Sequence, residues 1–262
     1  MVFTFITGGC GGLGKAYVRE LAKRGNNLYL TGRSEQKLAA LKAELGTDFP
    51  NVLVETFACD LRDAEARHAI FENADKLAMT FDRAVLCAGV DTQKGFEKYT
   101  VEKIIFQTRV NLESNLCLAR EFLSRREAQA ELLVVGSMSG LYPMPYFAIY
   151  SATKSALESF FSSLRFEMKG KGVKITTVMP GGIPTRPDII EDIKGQGIWG
   201  TLSAKSPEYV VKKSLKAVSK NKRVCVPGFF NKFLRAFTKP LPRALKMKFI
   251  CNRWKKIEKD AF

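Results

Sequence analysis

Histidine is nearly missing from these 262 residues, with His68 the sole one. A paired-histidine zinc site is therefore excluded. A Ser-His-Asp triad would have to recruit His68, which lies in a mixed polar stretch, and the chain has no Gly-x-Ser-x-Gly elbow. His68 reads as a surface or packing residue. The six cysteines never stand in Cys-x-x-Cys spacing, so they read as reduced, mostly buried thiols. No run approaches the ~20 apolar residues that span a bilayer. No charged and then apolar leader precedes the strand-like run Val2–Thr7. The expectations are no metal, no cleaved leader and a reducing, cytoplasmic setting.

Acid is the scarce charge: 26 Asp and Glu against 42 Lys and Arg give a formal net charge of +16. Half of that excess is concentrated, because residues 229–262 carry ten cations and two acids. Two regions are expected, a domain over 1–228 and a basic, aromatic-rich extension over 229–262. In the extension Phe230, Phe233, Leu234 and Phe237 fall at helical spacing, with Lys232, Arg235 and Lys239 on the other side. After Pro240 and Pro242 a second stretch carries Leu245, Phe249, Ile250, Trp254 and Ile257 among seven cations. One reading is an interfacial element in peripheral contact with anionic lipid. The other is a pair of helices packed on the domain or on a second subunit. No nucleic-acid motif accompanies the charge, so nucleic acid is not an expected partner.

Upstream of the extension, short β-rich runs alternate with helix-length segments: Val2–Thr7 then Gly14–Arg24, Asn27–Thr31 then Glu35–Leu45, Val52–Ala58 then Asp63–Leu77. Arg83–Ala88, Val101–Arg126, Leu132–Ser137, Ile149–Met168 and Lys174–Met179 continue the series. Such alternation predicts an α/β fold, a doubly wound parallel sheet of the Rossmann kind in a single domain. Ser206-Pro207-Glu208 supplies an N-cap, an N1 proline and a first-turn acid for a helix over Pro207–Ser219. Between Met179 and about Lys205 the proline- and glycine-rich chain predicts an irregular excursion, a length more typical of a binding loop than of a connector.

The first strand runs into Thr7-Gly8-Gly9-Cys10-Gly11-Gly12-Leu13-Gly14-Lys15. A glycine-rich turn between strand and helix lets backbone N–H groups approach a phosphate at the helix N-terminus. The near match to a P-loop fails at Ala16, where a magnesium-binding hydroxyl is needed. The dinucleotide fingerprint Gly9-x-Gly11-x-x-Gly14 fits, in the right context. At the end of the second strand an acid would bind a ribose hydroxyl, yet Arg33 and Ser34 stand there. A guanidinium fork and a hydroxyl suit a 2′-phosphate, so NADP(H) is expected over NAD(H).

Tyr150 and Lys154 lie one helical turn apart, and Ser137 ends an apolar strand at the carboxyl edge, where doubly wound sheets hold ligands. A phenol titrates near pH ~10, so acid-base work near neutrality calls for a neighbouring cation, and Lys154 is that cation.

With these motifs in order, the chain resembles the classical short-chain dehydrogenase/reductases over residues 2 to about 228. Thr7, Gly8, Gly12, Leu13 and Gly14 match the family's glycine motif, and Asp60, followed by Leu61, matches the acid that contacts adenine. Ala88 and Gly89 match the turn beside the adenine ribose, and Asn111 the helix asparagine that supports a water in the proton relay. Ser137 matches the serine that holds the substrate oxygen, and Tyr150 with Lys154 the acid-base pair, which also contacts the cofactor. Pro180, Gly181, Ile183 and Thr185 match the loop on the nicotinamide carboxamide. Where the family has Asn-Asn-Ala-Gly this chain has Leu86-Cys87-Ala88-Gly89, a departure that bears on cofactor affinity more than on chemistry.

The resemblance implies hydride transfer between a nicotinamide and a carbonyl carbon, with Tyr150 as proton donor in reduction, and a homodimer or homotetramer formed through the helices around Asn111 and Tyr150. Tyr142, Met144 and Tyr146, with Ser137 and Tyr150, are the candidate substrate contacts. Their apolar and aromatic character suits a hydrophobic ketone or alcohol, steroid- or lipid-like, and equally suits core packing. A different class of function, an NADP-binding sensor or scaffold, has no need of Ser137, Tyr150 and Lys154 together.

Overall fold

A computed structural model describes residues 1–254 and 259–260; Ile257, counted above with the extension, lies outside them. The chain alternates as expected: β1 (Val2–Thr7), α1 (Gly12–Lys23), β2 (Leu28–Gly32), α2 (Glu35–Asp48), β3 (Val54–Ala58), α3 (Ala64–Lys76) and β4 (Thr80–Leu86). A short β5 (Thr92–Gln93) precedes α4 (Val101–Thr108) and α5 (Ser114–Ser124), then β6 (Arg126–Val135), α6 (Ala148–Glu167) and β7 (Val173–Val178). The remainder is α7 (Pro187–Gly195), α8 (Gly197–Ser203), α9 (Pro207–Ser219), β8 (Val224–Cys225), α10 (Phe229–Thr238), α11 (Arg243–Trp254) and β9 (Lys259–Asp260).

Seven strands form one parallel sheet in the order β3-β2-β1-β4-β6-β7-β8. Successive side chains of a strand point to opposite faces, and β6 shows the result. Leu132 and Val134 enter a core with Phe71, Phe122 and Phe161, while Leu133 and Val135 enter the other with Leu21, Leu41 and Val211. Helices α3, α5 and α6 cover one face and α1, α2 and α9 the other. Strand order reverses between β1 and β4, so a crevice opens at their carboxyl ends. Thr7 ties that crevice together, its Oγ1 accepting from the N–H groups of Cys87 and Ala88 at 3.0 and 3.1 Å.

Two expectations change. The helix over Val101–Arg126 is interrupted by a π-helical turn at Arg109–Glu113 centred on Asn111. The widened turn leaves carbonyls for side chains to satisfy: Ser114 Oγ donates to Val110 O at 2.8 Å and Asn115 Nδ2 to Asn111 O at 3.0 Å. The excursion after Met179 is not irregular throughout, because Pro187 opens α7 and Gly197, at φ +61°, turns the chain into α8. Ser206 caps α9 as read, Oγ accepting from Tyr209 N at 3.2 Å. His68 is exposed on α3. The cysteines are all free, though only Cys59 and Cys225 are fully buried. No helix among the described residues is long and apolar enough to cross a membrane.

Candidate active site

A cleft of about 1550 Å³ runs along the carboxyl edge of the sheet. One end is glycine-rich. Gly14 admits no side chain there, since a Cβ would stand 2.0 Å from Gly8 O, and a Cβ on Gly12 would stand 2.3 Å from Thr185 Cβ. Helix α1 starts at Gly12 with neither a side-chain cap nor an acid in its first turn, so its positive end faces the cleft undiminished. Gly8, Gly12, Leu13, Gly14, Arg33, Ser34, Asp60, Leu61, Ala88 and Gly89 all line it, as do Pro180, Gly181, Ile183 and Thr185. Thr7 is not among the lining residues; it braces the crevice from beneath.

Ser34 caps α2 through a hydrogen bond from Lys37 N at 3.2 Å. Lys37 itself lines the cleft four residues after Arg33, a second cation that the strand-end rule did not single out. Asp60 is held by Arg62, whose Nε donates to both carboxylate oxygens at 3.0 and 2.9 Å. That guanidinium holds the Asp60 carboxyl below its usual range.

Ser137, Tyr150 and Lys154 meet in the middle of the cleft. Ser137 lies close enough to the Tyr150 phenol to act on its proton, tending to lower its pKa, and Ser137 Oγ accepts from Ser139 N at 3.1 Å. Lys154, 3% exposed, donates from Nζ to Val135 O at 2.9 Å, with Nζ 5.6 Å from the Tyr150 ring centroid. Burial pushes the Lys154 pKa down to about 8, against smaller opposing effects of Cys87 and Asp91. Burial, and then the charge of Asp91, drives the Tyr150 phenol above its usual value, outweighing the opposite effect of Ser137. The direction is opposite to the depression expected from Lys154, because desolvation dominates here. Asn111 does not line the cleft. Its amide grips Val90, Oδ1 accepting from the N–H at 2.8 Å and Nδ2 donating to the carbonyl at 2.7 Å. Gly89 is thereby set against Lys154: a Cβ there would stand 3.3 Å from Nζ and 3.4 Å from Asn111 Oδ1.

The other end of the cleft is apolar and is built largely by the extension. Tyr142 and Met144 line it, whereas Tyr146, at φ +63°, does not. The turn at Tyr146 brings Phe147 into the cleft instead, stacked on Tyr150. Phe230, Phe233, Phe237, Leu245, Phe249 and Trp254 complete the wall. Tyr142 is tied to α10 through a 2.5 Å hydrogen bond between its hydroxyl and Thr238 Oγ1. The aromatic stripe read from the sequence therefore faces the cleft. Phe147, Lys37 and Asp91, all lining residues, were not among the candidates.

The family model for short chain dehydrogenases matches residues 3–190. A bovine very-long-chain 3-oxoacyl-CoA reductase is 30% identical over 227 residues, which make up 83% of this chain and 69% of the relative. The uncharacterized oxidoreductase DltE of Bacillus subtilis is 32% identical over 184 residues, 69% of this chain and 71% of the relative. Among solved structures, a 7beta-hydroxysteroid dehydrogenase superposes with a TM-score of 0.82 at 21% identity, covering 95% of this chain and 96% of that one. The L-sorbose reductase of Gluconobacter frateurii, complexed with NADPH and L-sorbose, gives 0.76 at 23% identity over 87% and 94%.

Proposed function

We propose that this chain, which belongs to the short-chain dehydrogenase/reductase family, is an NADP(H)-dependent ketoreductase that converts an apolar, lipid-like ketone to a secondary alcohol. The observation that carries the reading is the grouping of Ser137, Tyr150 and buried Lys154 in one cleft, where its glycine-rich end meets its aromatic end.

The residues fit a dinucleotide. The crowded glycines and the uncapped start of α1 suit a pyrophosphate, Arg33, Ser34 and Lys37 a 2′-phosphate, and Asp60, Leu61, Ala88 and Gly89 the adenosine. Tyr150 and Lys154 would hold the nicotinamide ribose, and Pro180, Gly181, Ile183 and Thr185 the carboxamide. When bound, the cofactor supplies the hydride.

Tyr150 keeps its proton because its pKa is raised, which suits donation to a carbonyl oxygen in the direction of reduction. Ser137 aligns that oxygen. Lys154 restores the proton from beneath, and Asn111 fixes the backbone beside it by clamping Val90. The apolar end favours a steroid- or lipid-like substrate.

Phe229, Phe233, Phe237, Leu245 and Phe249 are each more than half exposed, among cations of the extension. Peripheral contact with an anionic membrane would deliver such a substrate. Exposed Val101 and Ile105 on α4 and Phe160 and Phe166 on α6 suit pairing of two copies. Fluorescence titration with NADPH and NADH, followed by assay on long-chain ketones, tests the reading. Preferential NADPH binding and consumption of NADPH with ketone are expected; binding without turnover of any ketone would overturn it in favour of a sensor.

A further inference from the structure

Asp91 is a carboxylate at the catalytic centre that the reaction does not use. It lines the cleft between two fixed points. On one side Val90 is clamped by Asn111; on the other, β5 pairs with β9, Thr92 opposite Asp260 and Gln93 opposite Lys259. Among the described residues the Asp91 carboxylate makes no hydrogen bond and no ion pair. The cations its charge acts on are Lys154 from α6 and Arg186 before α7, and Asp188 and Asp192 act in turn on Arg186. Lys154 points to Val135 O at 2.9 Å, and Arg186 is engaged by Asp188 at 3.1 and 3.0 Å.

Two residues along the strand, Gln93 lies on the same face as Asp91 and also lines the cleft. It is 6% exposed, and its Nε2 has no hydrogen-bond partner. A buried amide donor without an acceptor is costly unless a ligand supplies one. A partly buried carboxylate that makes no hydrogen bond attracts a cation more strongly than one in water does. Both groups line the same cleft as Tyr150 and Ser137, the Asp91 charge acts on the Tyr150 phenol, and one end of that cleft is apolar.

We propose that Asp91 and Gln93 form a subsite selecting long-chain carbonyl compounds that carry a protonated amine near the carbonyl, the ammonium at Asp91 and a neighbouring oxygen at Gln93. The proposal rests on the ketoreductase reading and names its substrate class. Anionic groups at that position are rejected by the same charge.

The test compares kcat/KM, with NADPH and below neutral pH, for two long-chain ketones that differ only in an amine on the carbon next to the carbonyl. In the wild type the amino ketone is preferred at least tenfold, and in Asp91→Asn the ratio falls toward one. A ratio near one in the wild type, or an unchanged ratio in the variant, overturns the proposal. Calorimetry of the corresponding long-chain amine reads the subsite without turnover: binding at least tenfold weaker in Asp91→Asn is expected, and equal affinity overturns the proposal. Failure to reduce either ketone would defeat the ketoreductase reading alone, and the calorimetry would still decide this one.

Discussion

Phe147 stacks on Tyr150 with ring centroids 4.4 Å apart and 21° between planes, and it stacks also with Trp254, at 6.0 Å and 11°. The last turn of α11 is thus joined to the Tyr150 phenol through one ring. Aromatic pairs of this kind contribute ~0.5–1.5 kcal/mol beyond their buried area. Trp254→Ala is expected to lower kcat/KM for apolar ketones about tenfold, through Phe147, while NADPH affinity stays within about twofold. Steady-state kinetics beside a cofactor titration checks this; equal losses in both would show that the extension merely holds the domain together.

Tyr150→Phe keeps the ring stacked on Phe147 and removes only the hydroxyl. General acid catalysis is worth ~10²–10⁴ in rate, so turnover should fall by at least that range with NADPH affinity nearly intact. Turnover within a few-fold of wild type would refute the proton-donor role.

Much of this centre was legible in the sequence because its parts repeat at fixed spacing along regular elements. Tyr150 and Lys154 share a face of α6, Ser137 ends a strand, and Gly14 follows Gly8 at the distance that forces backbone on backbone. What escaped depends on dihedrals or on contacts remote in the chain. The positive φ of Tyr146 exchanges it for Phe147, and no periodicity announces that exchange. Trp254 reaches Phe147 across 107 positions, Asp91 is placed by a clamp from Asn111, and the π turn around Asn111 reads in sequence as uninterrupted helix.

Lys154 gives a pH dependence with a definite sign. Its pKa falls from an ordinary 10.5 to about 8 on folding, so between those values the unfolded chain binds the extra proton and stability rises with pH. Below about pH 8 the full cost, on the order of 3 kcal/mol, is present. Denaturant unfolding of Lys154→Met should therefore show an advantage over wild type near pH 7 that shrinks by pH 10. Ketone reduction by the wild type should decline as pH passes about 8 and the ammonium is lost.

Arg33 stands at the end of β2 with its charge felt by Asp60. A hydrogen bond to an ionised group is worth ~1.5–3 kcal/mol, about 10- to 100-fold in affinity. Arg33→Ala should weaken NADPH by that factor and leave NADH nearly unchanged, as read by fluorescence titration. Equal weakening of both would assign the 2′-phosphate elsewhere, with Lys37 the next residue to test.

The apolar wall of the cleft continues onto the surface. Phe233, Phe237 and Phe249 line the cleft yet are 52%, 60% and 63% exposed, and Trp199 of α8, which packs 5.6 Å from Phe230, is 48% exposed. A single isolated domain gains nothing from such a rim, whereas an anionic bilayer would bury the rings and attract the surrounding lysines. Burying one aromatic side chain contributes ~1.5–3 kcal/mol, so Phe233→Glu with Phe237→Glu should weaken sedimentation with vesicles containing phosphatidylserine at least tenfold. Salt should weaken it in the wild type, and pure phosphatidylcholine vesicles should bind less. Equal binding by variant and wild type would remove the membrane from the scheme, and loss of a dimer in the variant would identify the rim as a contact between two copies of the chain.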